Sequence, residues 1–151
     1  MSKFHTTHLV RHKSEQMFNL VADVEKYPEF LPMCKKLIIT DSYTEDDKVF
    51  LVADMTVNYK GFEETFTSQV TLDKINHLIN VEYIDGPFKY LHNYWSFKDD
   101  NDINTCQVEF FIEYEFKNKL LNFALSGIFD KIFKNFSEVF EQRADFLYGI
   151  K

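Results

Sequence analysis

The feature that most constrains this chain is a long stretch, from Cys34 to Phe116, in which apolar residues recur at every second position. The pattern is clearest between Cys106 and Phe116, where apolar residues alternate with polar ones that are mostly glutamates. Because successive side chains of a strand point to opposite faces of its sheet, this period predicts β-strands. Strands with one apolar and one polar face are typical of an antiparallel sheet that is covered on one side.

Turn residues divide this stretch into strands. Lys60-Gly61 has the composition of a tight hairpin, and Asp85-Gly86-Pro87 and Asp99–Asn104 are turn-like. Strands are therefore predicted at Lys36–Thr44, Lys48–Tyr59, Phe62–Leu72, Asn76–Ile84, Tyr90–Lys98 and Thr105–Phe116. A first strand is predicted before this stretch, at Lys3–Arg11.

Helical spacing appears at both ends of the sheet stretch. Ser14 is a suitable N-cap for a short amphipathic helix at Glu15–Val24, and Tyr27–Pro32 is predicted to form a further helical turn. Asn118 can cap a long last helix that runs to about Tyr148 and carries a broad apolar stripe. Its interior Gly127 either allows close packing or flexing, or is a tolerated glycine that costs about 1 kcal/mol.

The order of elements is strand, two short helices, six strands and a long helix. Hairpin-linked strands with helices at the ends predict an α+β fold and exclude a βαβ crossover fold. We expect a curved antiparallel sheet of about seven strands wrapped around the C-terminal helix, in one domain that spans residues 1–151. A hollow between the sheet and the helix is the architectural hypothesis on which the predicted function depends.

Composition and charge narrow the function further. The net charge of −7 argues against a nucleic-acid binder held by phosphate contacts, which needs a basic face, and no DNA partner is expected. The 17 Phe and 8 Tyr either fill an aromatic-rich core or line a cavity for an apolar ligand. Cys34 and Cys106 are too few for a disulfide framework, and Met1–His5 lacks the apolar core of a signal peptide, so the cytoplasm is the expected compartment.

Residues that could carry chemistry are few. On a strand, His5 and His8 would lie on opposite faces, which argues against a metal site, and no cofactor is expected. Glu64 shares the apolar face of its strand with Ser68, so it either reads a polar head group in the cavity or reaches solvent or a basic partner. Trp95 is either a packing anchor or a lining residue. No catalytic residue is predicted.

Several segments resemble the ubiquinone-binding and ribosome-association-toxin (RatA) family of the START-like, polyketide-cyclase-like superfamily. The segments that carry this resemblance span nearly the whole chain: Val21–Pro32, Tyr59–Ser68, Asp85–Phe88, Val108–Phe116 and Arg143–Gly149. Met33 departs from the pattern, because an aromatic residue is expected before Cys34.

The resemblance implies a helix-grip fold with a tunnel that holds ubiquinone or a related polyisoprenoid lipid in support of respiration. It also implies an alternative, an inhibitor that binds the large ribosomal subunit, for which Lys117, Lys119, Lys131 and Lys134 could form a basic patch. A polyketide cyclase or dehydratase is a third hypothesis, with Glu64 as its one acidic candidate.

The preferred interpretation is a non-catalytic lipid carrier. We expect access through the Tyr27–Met33 turn and the first part of the last helix. Contact with the inner face of the cytoplasmic membrane is expected to be transient, because no segment of the sequence combines a basic face with an exposed apolar face. The predicted ligand-binding residues are Phe30, Leu31, Met33, Met55, Val57, Phe62, Glu64, Phe66, Ser68, Trp95, Phe110, Ile112, Tyr114, Leu125, Phe129, Ile132, Phe133 and Phe136.

Overall fold

The computed structural model describes residues 2–149 as an α+β fold. Its elements, in chain order, are β1 (Ser2–Val10), α1 (Ser14–Ala22), a 3₁₀ helix (Val24–Glu29), β2 (Cys34–Glu45), β3 (Lys48–Tyr59), β4 (Phe62–Asp73), β5 (Leu78–Asp85), β6 (Phe88–Asp99), β7 (Cys106–Phe116), α2 (Lys119–Lys134) and α3 (Phe136–Tyr148). The predicted strands are all present, with small shifts at their ends.

The seven strands form one antiparallel sheet in the order β1-β7-β6-β5-β4-β3-β2. Consecutive strands from β2 to β7 pair as hairpins, and β1 closes the other edge against β7. Register shifts interrupt β2, β5 and β6, and an extra residue in one strand bends that strand and increases its twist. These irregularities give the sheet the curvature that lets it enclose a helix. The seven-stranded antiparallel sheet and its C-terminal helices confirm the predicted fold class.

The bulge in β5, at Ile84, comes just before the turn between β5 and β6. Gly86 in this turn has φ of +142°, and a Cβ atom built there would lie 2.6 Å from the Cβ of Phe66. The backbone therefore approaches β4 more closely than any larger residue allows. At the other predicted hairpin, Gly61 has φ of +89° but open space around it.

The C-terminal helix differs from the prediction, because it consists of two segments. α2 ends at Lys134 and α3 begins at Phe136, with Asn135 between them at φ −99° and ψ 0°. The Asn135 amide donates to the Ile132 carbonyl oxygen, and its side-chain nitrogen donates to the Lys131 carbonyl oxygen, 3.1 Å away. Such local bonds compete with the regular helical pattern and interrupt it. Gly127, the residue suspected of flexing, lies within a regular part of α2.

Polar contacts fasten α3 to the first part of the chain. His12, whose side chain is fully buried, hydrogen-bonds through Nε2 to the Asp145 carboxylate at 2.7 Å. Arg143 donates to Glu29 at 2.9 Å and lies over the Phe30 ring. These contacts join α3 to the connection between β1 and α1 and to the end of the 3₁₀ helix, so they fix the end of the chain over the sheet.

The structure corrects two predictions about the helices in the first part of the chain. α1 begins with Lys13, not Ser14, in the N-cap position, and the second helical turn is the 3₁₀ helix, which begins earlier than predicted.

His5 hydrogen-bonds to Glu109 at 2.7 Å, and no cluster of metal-binding side chains occurs within residues 2–149. In the same range no helix is long and apolar enough to cross a membrane.

The contrast between Gly86 and Gly61 gives a test of the fold. We expect Gly86→Ala to lower the free energy of unfolding by about 3 kcal/mol, because it combines an unfavourable φ with overlap against Phe66. Gly61→Ala, which meets only the unfavourable φ, should cost about 1 kcal/mol. Urea unfolding followed by circular dichroism measures both, and equal costs for the two variants would contradict the close approach.

Candidate functional site

A cavity of about 130 Å³ lies between the inner face of the sheet and the two C-terminal helices. Strands β2 to β7 supply its floor and sides, α2 and α3 supply its roof, and the residues around the 3₁₀ helix close one end. The lining residues are Val24, Tyr27, Leu31, Pro32, Met33, Cys34, Leu37, Ala53, Met55, Val57, Phe66, Ser68, Val70, Ile79, Val81, Phe88, Leu91, Asn93, Trp95, Ile112, Phe129, Ile132, Phe133, Phe136 and Phe140.

The hollow exists because two small residues face each other on the floor. Ala53 on β3 pairs directly with Ser68 on β4, whereas the next inward pair along the strands is Met55 and Phe66. On the helical side of the cavity the rings of Phe133 and Phe136 pack edge to face with centroids 5.0 Å apart. Rings that brace one another in this way cannot descend between the two small side chains, so a void remains.

The size of the cavity corrects the expected tunnel. An engineered apolar cavity of about 150 Å³ binds benzene, so a void of about 130 Å³ accommodates one ring or one short branched segment. It does not accommodate a long isoprenoid tail. The aromatic side chains of the roof and of the neighbouring strands occupy the space that a continuous tunnel would need, as in the edge-to-face contact of Phe66 with Phe88.

The walls of the cavity carry few polar atoms. The Ser68 hydroxyl is buried and has no hydrogen-bond partner within residues 2–149. Asn93 donates its side-chain amide to the Phe111 carbonyl oxygen at 2.8 Å, and the Tyr27 hydroxyl donates to the Val21 carbonyl oxygen. Ser68 is therefore the wall residue whose hydroxyl remains available to a ligand.

The site is electrically neutral. None of the described lining residues is an Asp, Glu, Lys, Arg or His. Burial raises the pKa of the Cys34 thiol to about 11 and raises the pKa of the Tyr27 hydroxyl well above its ordinary value, so both groups are protonated at neutral pH. The walls thus favour an uncharged, apolar ligand, and they present no acid–base pair for proton transfer.

The structure brings together most of the residues predicted to bind ligand. Those that line the cavity are Leu31, Met33, Met55, Val57, Phe66, Ser68, Trp95, Ile112, Phe129, Ile132, Phe133 and Phe136. They come from both layers of the fold, as the hypothesis of a hollow between the sheet and the helix required. Trp95 is both lining residue and packing anchor, because it also contacts the rings of Phe110 and Phe140.

Glu64 does not line the cavity. It has the inward parity of β4, but it lies near the end of the strand and is exposed to solvent. Its neighbour across the hairpin is Val57. The head-group role suggested for Glu64 is therefore wrong, and its alternative, a strand end that reaches solvent, is the structure observed.

The other predicted residues outside the cavity are held in packing contacts. Phe110 lies between Phe4 and Phe136, and Phe62 packs edge-on against Phe129. The structure also places Phe30, Tyr114 and Leu125 outside the cavity walls.

Two of these residues have their own packing or polar contacts. Phe30 packs against Phe140 and lies under Arg143. Tyr114 donates its hydroxyl to the Ser126 carbonyl oxygen at 3.1 Å and to the Asp130 carboxylate at 3.0 Å, so its polar end points towards α2.

Several lining residues were missed by the sequence analysis. Ala53, Val70, Leu91 and Asn93 have the same parity as predicted neighbours on their strands, so the alternation already contained the signal. Phe88 was missed because β6 begins before its predicted start. The remaining missed residues are Val24, Tyr27, Pro32, Cys34, Leu37, Ile79, Val81 and Phe140.

Related sequences match this chain over most of its length. It is 36% identical over 141 residues to the ribosome association toxin RatA of Vibrio cholerae, and the match covers 93% of this chain and 94% of that protein. It is 35% identical over 137 residues to the mitochondrial coenzyme Q-binding protein COQ10 of Drosophila melanogaster. That match covers 89% of this chain but only 54% of the longer fly protein.

Solved structures agree with the fold. The solution structure of the 18 kDa protein CC1736 from Caulobacter crescentus superposes with a TM-score of 0.81 at 31% identity, covering 99% of this chain and 100% of that one. The aromatase/cyclase ZhuI of Streptomyces sp. R1128 superposes with a TM-score of 0.80 at 15% identity, covering 95% and 93%, and this likeness concerns the fold alone.

Sequence and architecture therefore lead to the same assignment. Residues 10–141 match the family described as polyketide cyclase/dehydrase and lipid transport. The seven-stranded sheet, the helices that cover it and the apolar cavity between them are the architecture of START-like proteins. The chain belongs to the polyketide cyclase/dehydrase and lipid transport family, in the branch that includes the RatA proteins.

Proposed function

We propose that this protein binds and carries an apolar small molecule, ubiquinone or a related isoprenoid lipid, in the cavity under α2 and α3. The observation that carries the proposal is the wall itself, which is made of apolar and uncharged side chains drawn from both layers of the fold. Desolvating a lipid tail contributes about 0.8 kcal/mol for each buried CH₂, so such a wall binds without charged contacts. The coenzyme Q-binding relative supports the choice of ligand class.

The Ser68 hydroxyl adds a polar preference to this site. A buried hydroxyl without a partner costs roughly 1–3 kcal/mol, and a ligand that supplies a hydrogen-bond acceptor removes that cost. A quinone carbonyl oxygen is such an acceptor. The pairing of one ring-sized hollow with one free hydroxyl supports a ligand that places its oxygenated ring in the cavity.

A longer ligand requires the roof to move. The cavity accommodates a ring or a short segment, so the isoprenoid tail must displace some of the aromatic side chains that α2 and α3 place above the sheet. Phe129 and Phe133 of α2 face the cavity from the part of the last helix where access was expected. We therefore infer that α2 shifts when the carrier takes up its ligand.

A catalytic role receives less support. The aromatase/cyclase neighbours show that the fold accommodates enzymes, but within residues 2–149 the cavity walls contain no carboxylate, histidine or lysine. Glu64, which was the one acidic candidate, is exposed at the end of β4. The proposal is accordingly a carrier without catalytic groups of its own.

Association with the ribosome is a second candidate function. It is favoured by the relatives named as ribosome association toxins and by exposed lysines on or next to α2. These are Lys117, Lys119, Lys131 and Lys134, the residues predicted to form a basic patch. The large ribosomal subunit is the partner that the family resemblance implies, and neutralising rRNA phosphates is what such a patch would do.

Trp95 provides a direct test of the carrier proposal, because it is the one tryptophan of the chain and it lines the cavity. We expect a short-chain ubiquinone to quench Trp95 fluorescence in the wild type. Ala53→Leu places three further carbon atoms in the hollow and should weaken binding more than tenfold, since about 0.8 kcal/mol is lost for each displaced CH₂.

Glu64→Gln is the matched control, because Glu64 is exposed and outside the cavity. The affinity of this variant for ubiquinone should equal that of the wild type. Thermal unfolding shows whether Ala53→Leu remains folded. Lipid extraction and mass spectrometry of the purified wild type identify the ligand class. A wild type that neither retains lipid nor responds to quinone, or a folded Ala53→Leu variant with unchanged affinity, would refute the carrier proposal.

The ribosomal candidate makes a separate prediction. Overproduction of the wild type should reduce the 70S fraction in sucrose gradients and increase the free subunits. Replacing Lys131 and Lys134 with Glu should abolish that effect, because two phosphate contacts become repulsive, while Lys74→Glu, on a turn at the far end of β4, should not. An unchanged 70S fraction with the overproduced wild type rules out this candidate.

A further inference from the structure

The outer face of α2 carries large apolar side chains that are mostly exposed to solvent. The Phe123 side chain is 91% exposed and Leu120 is 78% exposed, and both lie in the first half of the helix. The next residues on this face, Ala124 and Gly127, are exposed as well. Isolated exposed apolar residues are common, but two large ones on neighbouring positions of one helical face form a patch.

Lysines surround this patch. Lys117 and Lys119 precede Leu120 and are exposed, and Lys89 lies across a groove that Phe116 and Phe123 also line. Glu115 lies in the groove too, where its carboxylate pairs with Lys89 at 3.5 Å.

Further along α2 the outer face remains basic. Lys131 and Lys134 are exposed in its last turn. Asp130, the acidic residue of this helix, accepts a hydrogen bond from the Tyr114 hydroxyl at 3.0 Å and is therefore turned towards the sheet. In a chain of net charge −7, a helix face with this composition is a local exception.

The combination corrects the expectation that no segment joins a basic face to an exposed apolar one. α2 was treated as a helix with one apolar stripe, whereas it has two. Its inner stripe, with Phe129 and Phe133, covers the cavity, and its outer face carries Leu120 and Phe123. Only the inner stripe is needed to explain the fold.

We propose that the outer α2 face, formed by Leu120, Phe123, Lys117 and Lys119, docks on a membrane surface that carries anionic lipid headgroups. Charge complementarity selects this partner, because lysines beside the patch match the phosphates of the headgroups. Leucine and phenylalanine side chains then insert at the boundary with the acyl chains. An rRNA surface explains the lysines, but it offers no apolar region for Leu120.

Docking through this face places the roof of the cavity at the bilayer. The helix that contacts the lipid is also the helix that supplies Phe129, Ile132 and Phe133 to the cavity. The docking proposal stands on the exposed residues and their charges, and it holds whatever ligand the cavity takes.

Vesicle flotation with the full-length protein tests the proposal. The wild type should float with phosphatidylcholine vesicles that contain phosphatidylglycerol, and only weakly with phosphatidylcholine alone. Leu120→Ser combined with Phe123→Ser should reduce binding at least about tenfold, because both apolar anchors are lost. Lys117→Gln and Lys119→Gln should each reduce binding to the anionic vesicles about fivefold. Added salt should also reduce this binding.

Ile103→Ser is the matched control. Ile103 is 74% exposed, but it lies in the turn after β6 next to Asp102 and near Asp100, so it should leave vesicle binding unchanged. The Trp95 titration on each variant shows whether the cavity is intact, which separates a failure of docking from a failure of ligand binding.

Three results would overturn the docking proposal. The first is a wild type that does not float with anionic vesicles, and the second is an Ile103→Ser variant that loses as much binding as the Leu120 and Phe123 double variant. The third is a double variant that still floats but no longer affects ribosomal subunits, which would make this face a ribosome contact.

Discussion

The site depends on a mismatch of side-chain size between the two layers of the fold. On the floor, Ala53 and Ser68 lie opposite each other, while the roof above them is built of phenylalanine rings that support one another. Close packing is the normal state of a protein interior, so a void here means that the rings are held too high to fill it. The curvature of the sheet and the position of the C-terminal helices both follow from how these layers meet.

Most of the fold could be predicted from the sequence because its signals are local. Period two identified the six strands from β2 to β7, and Lys60-Gly61 identified a hairpin whose residues both have positive φ. The break at Asn135 could not be predicted in the same way. The apolar stripe continues through Phe133 and Phe136 on either side of it, and the competing bond from Asn135 to the Lys131 carbonyl is visible only in three dimensions.

The site was predictable to the extent that strand parity decides which face a residue occupies. Met55, Phe66, Ser68 and Trp95 were placed correctly on that basis. Parity does not tell which side chains of a face are covered, and Glu64 has the inward parity but is exposed. Missed residues around the 3₁₀ helix line the cavity through the path of the chain, which no periodicity encodes.

The interruption at Asn135 also divides the helical layer into two segments with separate attachments. α3 is joined to the connection between β1 and α1 by the His12–Asp145 hydrogen bond, whereas α2 is joined to β7 through the hydroxyl of Tyr114. Neither attachment crosses Asn135, so α2 can separate from the sheet without breaking the bonds that hold α3. The α2 part of the roof can therefore open at a free energy below that of global unfolding.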